Sequence, residues 1–133
     1  MNIWMGAKMA GEFIGEIRGN LGADPELKVT PNGKTVCNFS VGCTPRLEKD
    51  GQWVDGETTW VRVAIWDKEA EIAIDVLHKG TLVDIKGVVT NRKYTDKEGV
   101  EKTSLELSAR KWAIVQTRKS VTVKESESSP WGN

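Results

Sequence analysis

The sequence predicts an all-β domain of five strands, with one short helix between the third and the fourth strand. In residues 58–68, aliphatic side chains recur at every second position, as they do along a strand with one buried face. Asn32 and Gly33 form the pair that is typical of a tight hairpin turn. Residues 68–79 instead show apolar side chains at helical spacing. Together these patterns indicate a mainly β domain.

The first three strands are predicted before the helix. The first lies within residues 11–21, and the cluster GADP that follows breaks it. The second belongs to the hairpin of residues 27–43, and the third is the segment 58–68. Residues 46–58 are predicted to be a polar loop or a loose hairpin. Loops of this length in a compact domain are usually functional or disordered.

The helix is predicted from its apolar repeat and its end signals. Asp67 is the predicted N-cap, and Gly80 is predicted to end the helix in the C′ position. The residues between them that repeat at helical spacing are Ala70, Ala73, Ile74 and Leu77.

The last two strands are predicted within residues 81–89 and 104–115. A long hairpin of residues 92–103, with its turn near residues 96–99, joins them. Three strands, a helix and two strands is the element order of the oligonucleotide/oligosaccharide-binding (OB) fold, a five-stranded barrel. That fold binds ligands on its strand 2–3 face and with the loops that join strands 1–2 and 4–5.

The 133 residues suit one such domain with short extensions. We predict a flexible leader at residues 1–10, the OB-fold domain at residues 11–115, and a short disordered tail at residues 116–133, where Ser, Thr, Lys and Glu dominate. The sequence shows no signal or transit peptide pattern and no apolar stretch of about 20 residues. The expected location is the cytoplasm, with no membrane partner, and the host cytoplasm for a phage-encoded chain.

Charge and cysteine content exclude some functional classes. The chain has 19 Lys and Arg residues against 19 Asp and Glu residues, so electrostatics alone argue weakly for a polyanion partner. Cys37 and Cys43 share the parity of a buried strand face, and His78 alone cannot complete a zinc site with them. No nucleophile–base pair is visible either. The sequence therefore predicts no metal, no cofactor and no enzymatic activity.

The tryptophans of the third strand indicate a binding surface. Trp60, Arg62, Ala64 and Trp66 share the parity opposite to that of Val61, Val63 and Ile65. Two indoles beside a guanidinium suit single-stranded nucleic acid, which stacks its bases on aromatic rings in a basic groove. Six residues along a strand span about 20 Å, so Trp60 and Trp66 are predicted to be separate stacking platforms. Packing against the helix or against a subunit partner is the alternative.

Further binding residues are predicted in the loops. Tyr94 follows Arg92 and Lys93 in the 4–5 hairpin, and Trp53 lies in the 2–3 loop. Lys79 is a further candidate, although a lysine near a helix end also complements the helix dipole. The alternatives are hairpin packing for Tyr94, a solvated edge for Arg92 and Lys93, and a loop anchor for Trp53. Trp112 is more typical of a core residue.

Six segments resemble the bacterial-type single-stranded DNA-binding protein family. They read GNLGADPELK, TPNGK, NFSVGCT, TTWVRVAIWDKEAEIA, HKGTLVDIKG and TNRKYTDKEGVE, and they run in order through the predicted domain. The resemblance implies an OB-fold homotetramer that coats single-stranded DNA without sequence preference during replication, recombination and repair. It also implies that the family's stacking aromatics correspond to Trp60, Trp66 and Tyr94, the positions that strand parity and the hairpin had indicated.

The sequence departs from the family pattern at three places. Val61 stands where many members carry a histidine that takes part in subunit contacts, which leaves the subunit number open. Leu47 stands near a further family tryptophan, for which Trp53 is a candidate substitute. The family's acidic C-terminal tip docks onto replication and repair proteins. The C-terminal residues of this sequence resemble that tip only weakly. The partner-binding candidates in this tail are Glu125, Glu127, Pro130 and Trp131.

Two other functions share the predicted fold. One is an OB-fold assembly module of a primosome-type or phage replication complex, in which Trp60 and Trp66 would face a protein. The other is an RNA-binding OB protein. Substitution of both tryptophans by alanine separates the first from DNA binding, and competition between DNA and RNA strands of equal sequence separates the second.

Overall fold

A computed structural model describes residues 10–117 and shows a mainly β domain with one helix. Five strands and the helix match the predicted order. Of three further short strands, one is the first arm of the hairpin predicted at residues 27–43, and two form a hairpin within residues 46–58. The elements are β1 Ile14–Leu21, β2 Glu26–Val29, β3 Thr35–Cys43, β4 Arg46–Lys49, β5 Gln52–Asp55, β6 Thr59–Trp66, α1 Asp67–Val76, β7 Leu82–Thr95 and β8 Glu101–Ile114.

The main sheet closes on itself. Its strand order is β1-β7-β8-β6-β3-β2, and β1 also pairs with β3 through Asn20 with Gly42 and Leu21 with Val41. The pairing of β6 with β8 is parallel, and the other pairings of the main sheet are antiparallel. Closure gives β1 a partner on each side, as the predicted five-stranded barrel requires. The hairpin of β4 and β5 forms a separate two-stranded sheet.

The core fills the inside of this closed sheet. The predicted inner face of β6 is buried, and it packs with the inner faces of β3, β7 and β8 and with two alanines of α1. Burying one such aliphatic side chain stabilises the fold by about 1.5–3 kcal/mol. The residues of this core include Val61, Val63, Ile65, Cys37, Phe39, Val41, Val83, Ile85, Leu107, Ala70 and Ala73.

Ala64 corrects one detail of the predicted outer face of β6. It was expected to share the exposed face of Trp60 and Trp66, yet it is only 4% exposed. Its register partners are Asn38 on β3 and Ser108 on β8, so longer side chains flank its single methyl group on both sides. A small residue in the middle of a sheet is therefore covered even on the outer face.

The helix ends differ from the prediction. Asp67 is not a side-chain cap, because the cap position falls on Trp66 and no side-chain cap hydrogen bond forms there. Asp67 begins the helix with a positive φ of 60°, which aspartate tolerates better than most residues do. The helix ends at Val76, so Gly80 is not its C′ residue. Gly80 instead adopts φ 90° in a turn, where its N–H donates to the carbonyl of Leu21 at 2.9 Å.

The β7–β8 hairpin has a tightly bonded tip at the predicted place. One carboxylate oxygen of Asp96 accepts the backbone N–H groups of Glu98 and Val100, both at 2.9 Å. The other oxygen lies 3.2 Å from the ammonium of Lys102. These bonds, that from Val100 first, hold the pKa of Asp96 below its ordinary value. The tip therefore fixes the relative position of the two long strands that carry Arg92, Tyr94 and Ser104.

The predicted loop of residues 46–58 contains a hairpin, which was one of its two predicted forms. Asp50 and Gly51 supply its turn with positive φ values of 53° and 78°. The strands of this hairpin are exposed throughout. The predicted leader and tail lie almost wholly outside the residues that the structure describes, so their proposed boundaries remain predictions. Within residues 10–117, no helix has the length and apolar character needed to span a membrane.

Candidate nucleic-acid interface

The indole of Trp60 packs against the backbone of two glycines. Trp60 sits near the start of β6, and its ring contacts two glycines on neighbouring segments, Gly22 after β1 and Gly42 on β3. A Cβ added to Gly22 would lie 2.7 Å from Cζ3 of the indole, and one added to Gly42 would lie 3.1 Å from it. Despite this close packing, Trp60 is 55% exposed. The indole is therefore held in place and still presented to solvent.

A cavity of about 260 Å³ brings the predicted aromatic and basic residues together. Arg62 pairs with Ser40 across β6 and β3, and Arg92 pairs with Ser104 across β7 and β8. Because alternate residues share a face, these four side chains point outward together with the neighbouring rings. The complete lining is Ser40, Trp60, Arg62, Arg92, Tyr94 and Ser104.

A second cavity, of about 400 Å³, adjoins the first, because Ser40, Trp60 and Arg62 line both. It extends over the segment between β1 and β2 and onto β3. Its other lining residues are Gly22, Ala23, Asp24, Glu26, Asn38 and Phe39. The two cavities together form one groove, which runs from Tyr94 past Trp60 to the β1–β2 loop. The groove thus follows the strand face and loops that the OB fold predicted.

The groove carries mixed charge. Arg62 and Arg92 line it, and Asp24 and Glu26 lie at the β1–β2 end. On β8, Glu106 lies 3.6 Å from Arg92, measured from Oε2 to Nε. Asp24 accepts the backbone N–H of Lys79 at 2.8 Å, a bond that braces the β1–β2 loop. Arg92 therefore lies at the Tyr94 end of the groove, and Arg62 borders both cavities.

Trp66 shares the strand and the outward parity of Trp60 but lies at the other end of β6. It pairs with Val36 on β3, and it is 36% exposed. The six-residue separation corresponds to about 20 Å along the strand. Trp66 lines neither cavity of the groove. The structure therefore separates the two predicted platforms and places only Trp60 with the arginines and Tyr94.

Three further predicted residues lie outside the groove. Lys93 has the parity opposite to that of Arg92 and Tyr94, and it lines a separate cavity with Glu101, Lys102 and Thr103. Trp53 is exposed on β5, where its register partner is Glu48. Lys79 lies three residues after the end of α1, outside the last turn of the helix, which contains no basic residue.

The structure also gives the positions of two residues that depart from the family pattern. Val61 is buried in the core of its own chain, where it pairs with Val41. Leu47 is exposed on β4 and pairs with Val54. The predicted tail residues, Glu125, Glu127, Pro130 and Trp131, lie outside the described residues.

Sequence reasoning missed the supporting residues of the groove. Gly42 is an isolated glycine inside a strand pattern, a recognised signal that another group approaches closely, so it could have been found. Gly22 lies in the segment GNLG, but nothing in the sequence indicates that Trp60 contacts it. Ser40, Ser104 and Glu106 are common outward-facing strand residues, and only the three-dimensional pairing brings them to the groove.

The cysteines and acidic residues show no metal chemistry in the described part of the chain. Cys37 is buried and Cys43 is half-buried, and both are free thiols. Burial raises the pKa of both thiols, which disfavours the thiolate that binds metals or attacks as a nucleophile. Within residues 10–117, no group of three or more His, Cys, Asp or Glu residues is arranged to hold a metal ion.

The chain is similar to known proteins over most of its length. The family model described as "Single-strand binding protein family" matches residues 15–115. A "Single-stranded DNA-binding protein" of Paenarthrobacter aurescens is 43% identical over 101 residues, which cover 74% of this chain and 59% of that protein. "Single-stranded DNA-binding protein 2" of Streptomyces coelicolor is 36% identical over 126 residues, which cover 93% of this chain and 62% of that protein. The chain thus spans about three fifths of the length of these relatives.

A solved structure supports the fold independently. The small single-stranded DNA-binding protein from Streptomyces coelicolor superposes with a TM-score of 0.75 and covers 82% of this chain and 99% of its own. At 24% identity this likeness shows the fold alone, and it confirms the OB fold that the element order predicted. On the strength of the family match and the relatives, the chain belongs to the single-strand binding protein family.

Proposed function

We propose that this chain binds and protects single-stranded DNA without sequence specificity, by stacking bases on Trp60 and Tyr94 while Arg62 and Arg92 contact phosphates. One observation carries the proposal: these two aromatic and two basic side chains line a single cavity on the outer face of the barrel. The printed names of the relatives, which describe single-stranded DNA-binding proteins, support the same ligand.

The chemistry of the groove favours unpaired strands. A base stacked on an aromatic side chain contributes about 1–3 kcal/mol, and every base offers a π-face, so stacking is tolerant of sequence. In a duplex, those faces already stack on neighbouring base pairs and are closed to an indole. The support of Trp60 by Gly22 and Gly42 fixes its ring before the ligand arrives, which reduces the ordering cost of binding.

Longer strands are proposed to continue beyond the groove. Trp66, on the same face of β6, is proposed as a second stacking platform for a strand that follows β6. Lys93, Trp53 and Lys79 are proposed as outer contacts because their side chains are exposed. Lys93 lies between Arg92 and Tyr94 in the chain, and the backbone N–H of Lys79 donates to Asp24 of the groove. These residues extend the footprint without forming the central site.

Family membership supports a proposal for the cellular role and the assembly. We propose that the chain acts in replication, recombination and repair, where single-stranded DNA needs protection, and that it assembles as a homotetramer. Burial of Val61 in the core of its own chain suits a subunit arrangement that differs from that of members with histidine there. Recruitment of replication or repair proteins through Glu125, Glu127, Pro130 and Trp131 is proposed from the acidic and aromatic character of that tail.

Binding of labelled strands tests the ligand class. Fluorescence anisotropy is measured with a labelled, unstructured oligo-dT, and unlabelled duplex and RNA of equal length serve as competitors. We expect saturable binding that the duplex does not displace and that RNA displaces only at higher concentration than DNA. Preferential displacement by RNA would make the chain an RNA-binding protein. An absence of binding to any strand would favour the assembly module.

A further inference from the structure

Glu106 places a negative charge beside the cations of the groove. On β8 it shares the outward parity of Ser104, which lines the groove. Its carboxylate Oε2 lies 3.6 Å from Nε of Arg92, and its side chain is 32% exposed. Across the parallel pairing of β6 and β8, its register partner is Arg62. The same carboxylate thus lies on the strand between the two arginines proposed to contact phosphates.

A guanidinium donates its N–H groups to the oxygens of a carboxylate or of a phosphate, and its planar fork can reach two oxygens of either group. The Glu106 carboxylate that pairs with Arg92 is therefore the same kind of partner for the guanidinium as a DNA phosphate. A phosphate can contact Arg92 fully only when it replaces the carboxylate or shares the guanidinium with it. In either case the phosphate approaches a like charge.

We propose that Glu106 is an internal competitor of the DNA phosphate, which holds the Arg92 guanidinium in the groove and lowers both the affinity for single-stranded DNA and its dependence on salt. This inference rests on the proposed function. When DNA displaces the carboxylate, Glu106 remains as an unpaired negative charge beside the phosphate, which reduces by one the positive charge that the groove offers to the DNA. Arg92 then contributes less to salt-dependent binding than a free arginine does.

The test is the affinity of Glu106→Gln for oligo-dT across a series of salt concentrations. Glutamine keeps the size of the side chain and removes its charge. We expect binding at low salt to tighten by roughly 2- to 5-fold, the range expected for an exposed ion pair. The slope of log affinity against log salt should become steeper by about 0.7, the value for one phosphate on a single strand. Glu106→Asp, with a shorter reach toward Arg92, should fall between the two.

The matched control is Glu71→Gln, which makes the same charge change on an exposed face of α1 outside the groove. It should leave both affinity and slope unchanged, because Glu71 lines neither cavity of the groove. Arg92→Gln is then measured in both backgrounds. Its loss of affinity should be larger when residue 106 is glutamine than when it is glutamate, because only then is Arg92 free of its carboxylate partner.

Each outcome decides the matter. Weaker or unchanged binding by Glu106→Gln, with a melting temperature like that of the natural chain, would overturn the inference, as would additive effects of the two substitutions. The proposed function would survive these results, since the natural chain would still bind oligo-dT. If the natural chain itself fails to bind oligo-dT, the proposed function fails and the inference fails with it.

Discussion

The two ends of β6 carry the same residue type on the same face, yet the barrel gives them different surroundings. Trp60 rests on Gly22 and Gly42 and shares a cavity with Arg62, Arg92 and Tyr94. Trp66, at the junction with α1, lines neither cavity of the groove and is less exposed. Parity along one strand therefore identifies a face, whereas the neighbouring strands decide which part of that face becomes a site.

The largest expected effect comes from removing the indole at the groove end. Trp60→Ala should weaken binding of oligo-dT by about 1–3 kcal/mol, which corresponds to roughly 5- to 150-fold in dissociation constant. Trp60 is more than half exposed, so the fold should tolerate the change. Anisotropy titration measures the effect, and the melting temperature controls for folding. A loss of less than about 2-fold would contradict stacking on Trp60, since even the weakest stacked base contributes more.

Trp66→Ala sharpens the comparison through strand length. With an oligo-dT of about 4 nucleotides, near the lower limit for one OB fold, it should bind like the natural chain, because such a strand fits within the groove. With about 16 nucleotides, the upper limit, it should bind more weakly by up to the stacking contribution of one base. An equal loss for the short and long strands would show that Trp66 belongs to the central site.

Gly22 offers a smaller and more indirect perturbation. The methyl group of Gly22→Ala should displace the indole of Trp60, because a Cβ there would lie 2.7 Å from Cζ3 of the ring. Binding of oligo-dT should weaken by a fraction of the stacking energy, on the order of 3- to 10-fold. Gly11→Ala is the matched control, because no atom lies within 4 Å of the added methyl group.

The role of Gly22 as a positioning residue is tested by a double-mutant cycle. In a Trp60→Ala background, Gly22→Ala should cost no further affinity, because the ring that it displaces is gone. A loss of equal size in both backgrounds would mean that the methyl group damages the fold or the loop instead. Such a result would separate a structural effect from the positioning of the ring.

The fold was predictable from local signals, and the site was predictable only in part. Parity identified the buried face of β6, and the Asn-Gly pair identified a turn that Gly33 closes with φ 82°. The end of α1 was less predictable, because the helix stops at Val76 with an extended Leu77 and Gly80 lies beyond it. Glu106 could not be identified, since an outward-facing strand glutamate is ordinary until the register between strands places it beside Arg92.

The smallest expected effect concerns the scaffold instead of the groove. Both side-chain oxygens of Asp84 accept hydrogen bonds from Arg18, at 2.7 and 2.9 Å, and these bonds hold the pKa of Asp84 below its ordinary value of 3.8. A lowered pKa stabilises the fold above pH 3.8, and this contribution is lost as the pH falls through the pKa of the folded state. Arg18 is exposed and Asp84 is half-buried at the surface of the barrel, so solvent screens the pair and the contribution is small.

Asp84→Asn should therefore make the free energy of unfolding fall less steeply with pH below 3.8 than it does in the natural chain, as measured by urea unfolding. Binding of oligo-dT at neutral pH should not change, because Asp84 lies outside the groove. An unchanged pH dependence of unfolding would show that the ion pair of β1 and β7 does not contribute.

The quenching of tryptophan fluorescence by a short oligo-dT tests the central claim most directly. The natural chain is compared with Trp60→Phe and Trp66→Phe, each of which removes one indole and keeps an aromatic ring. If the groove around Trp60 is the binding site, Trp60→Phe should lose most of the quenching on binding and Trp66→Phe should keep it. Full quenching in Trp60→Phe, at saturation with DNA, would contradict the account and place the bases elsewhere on the barrel.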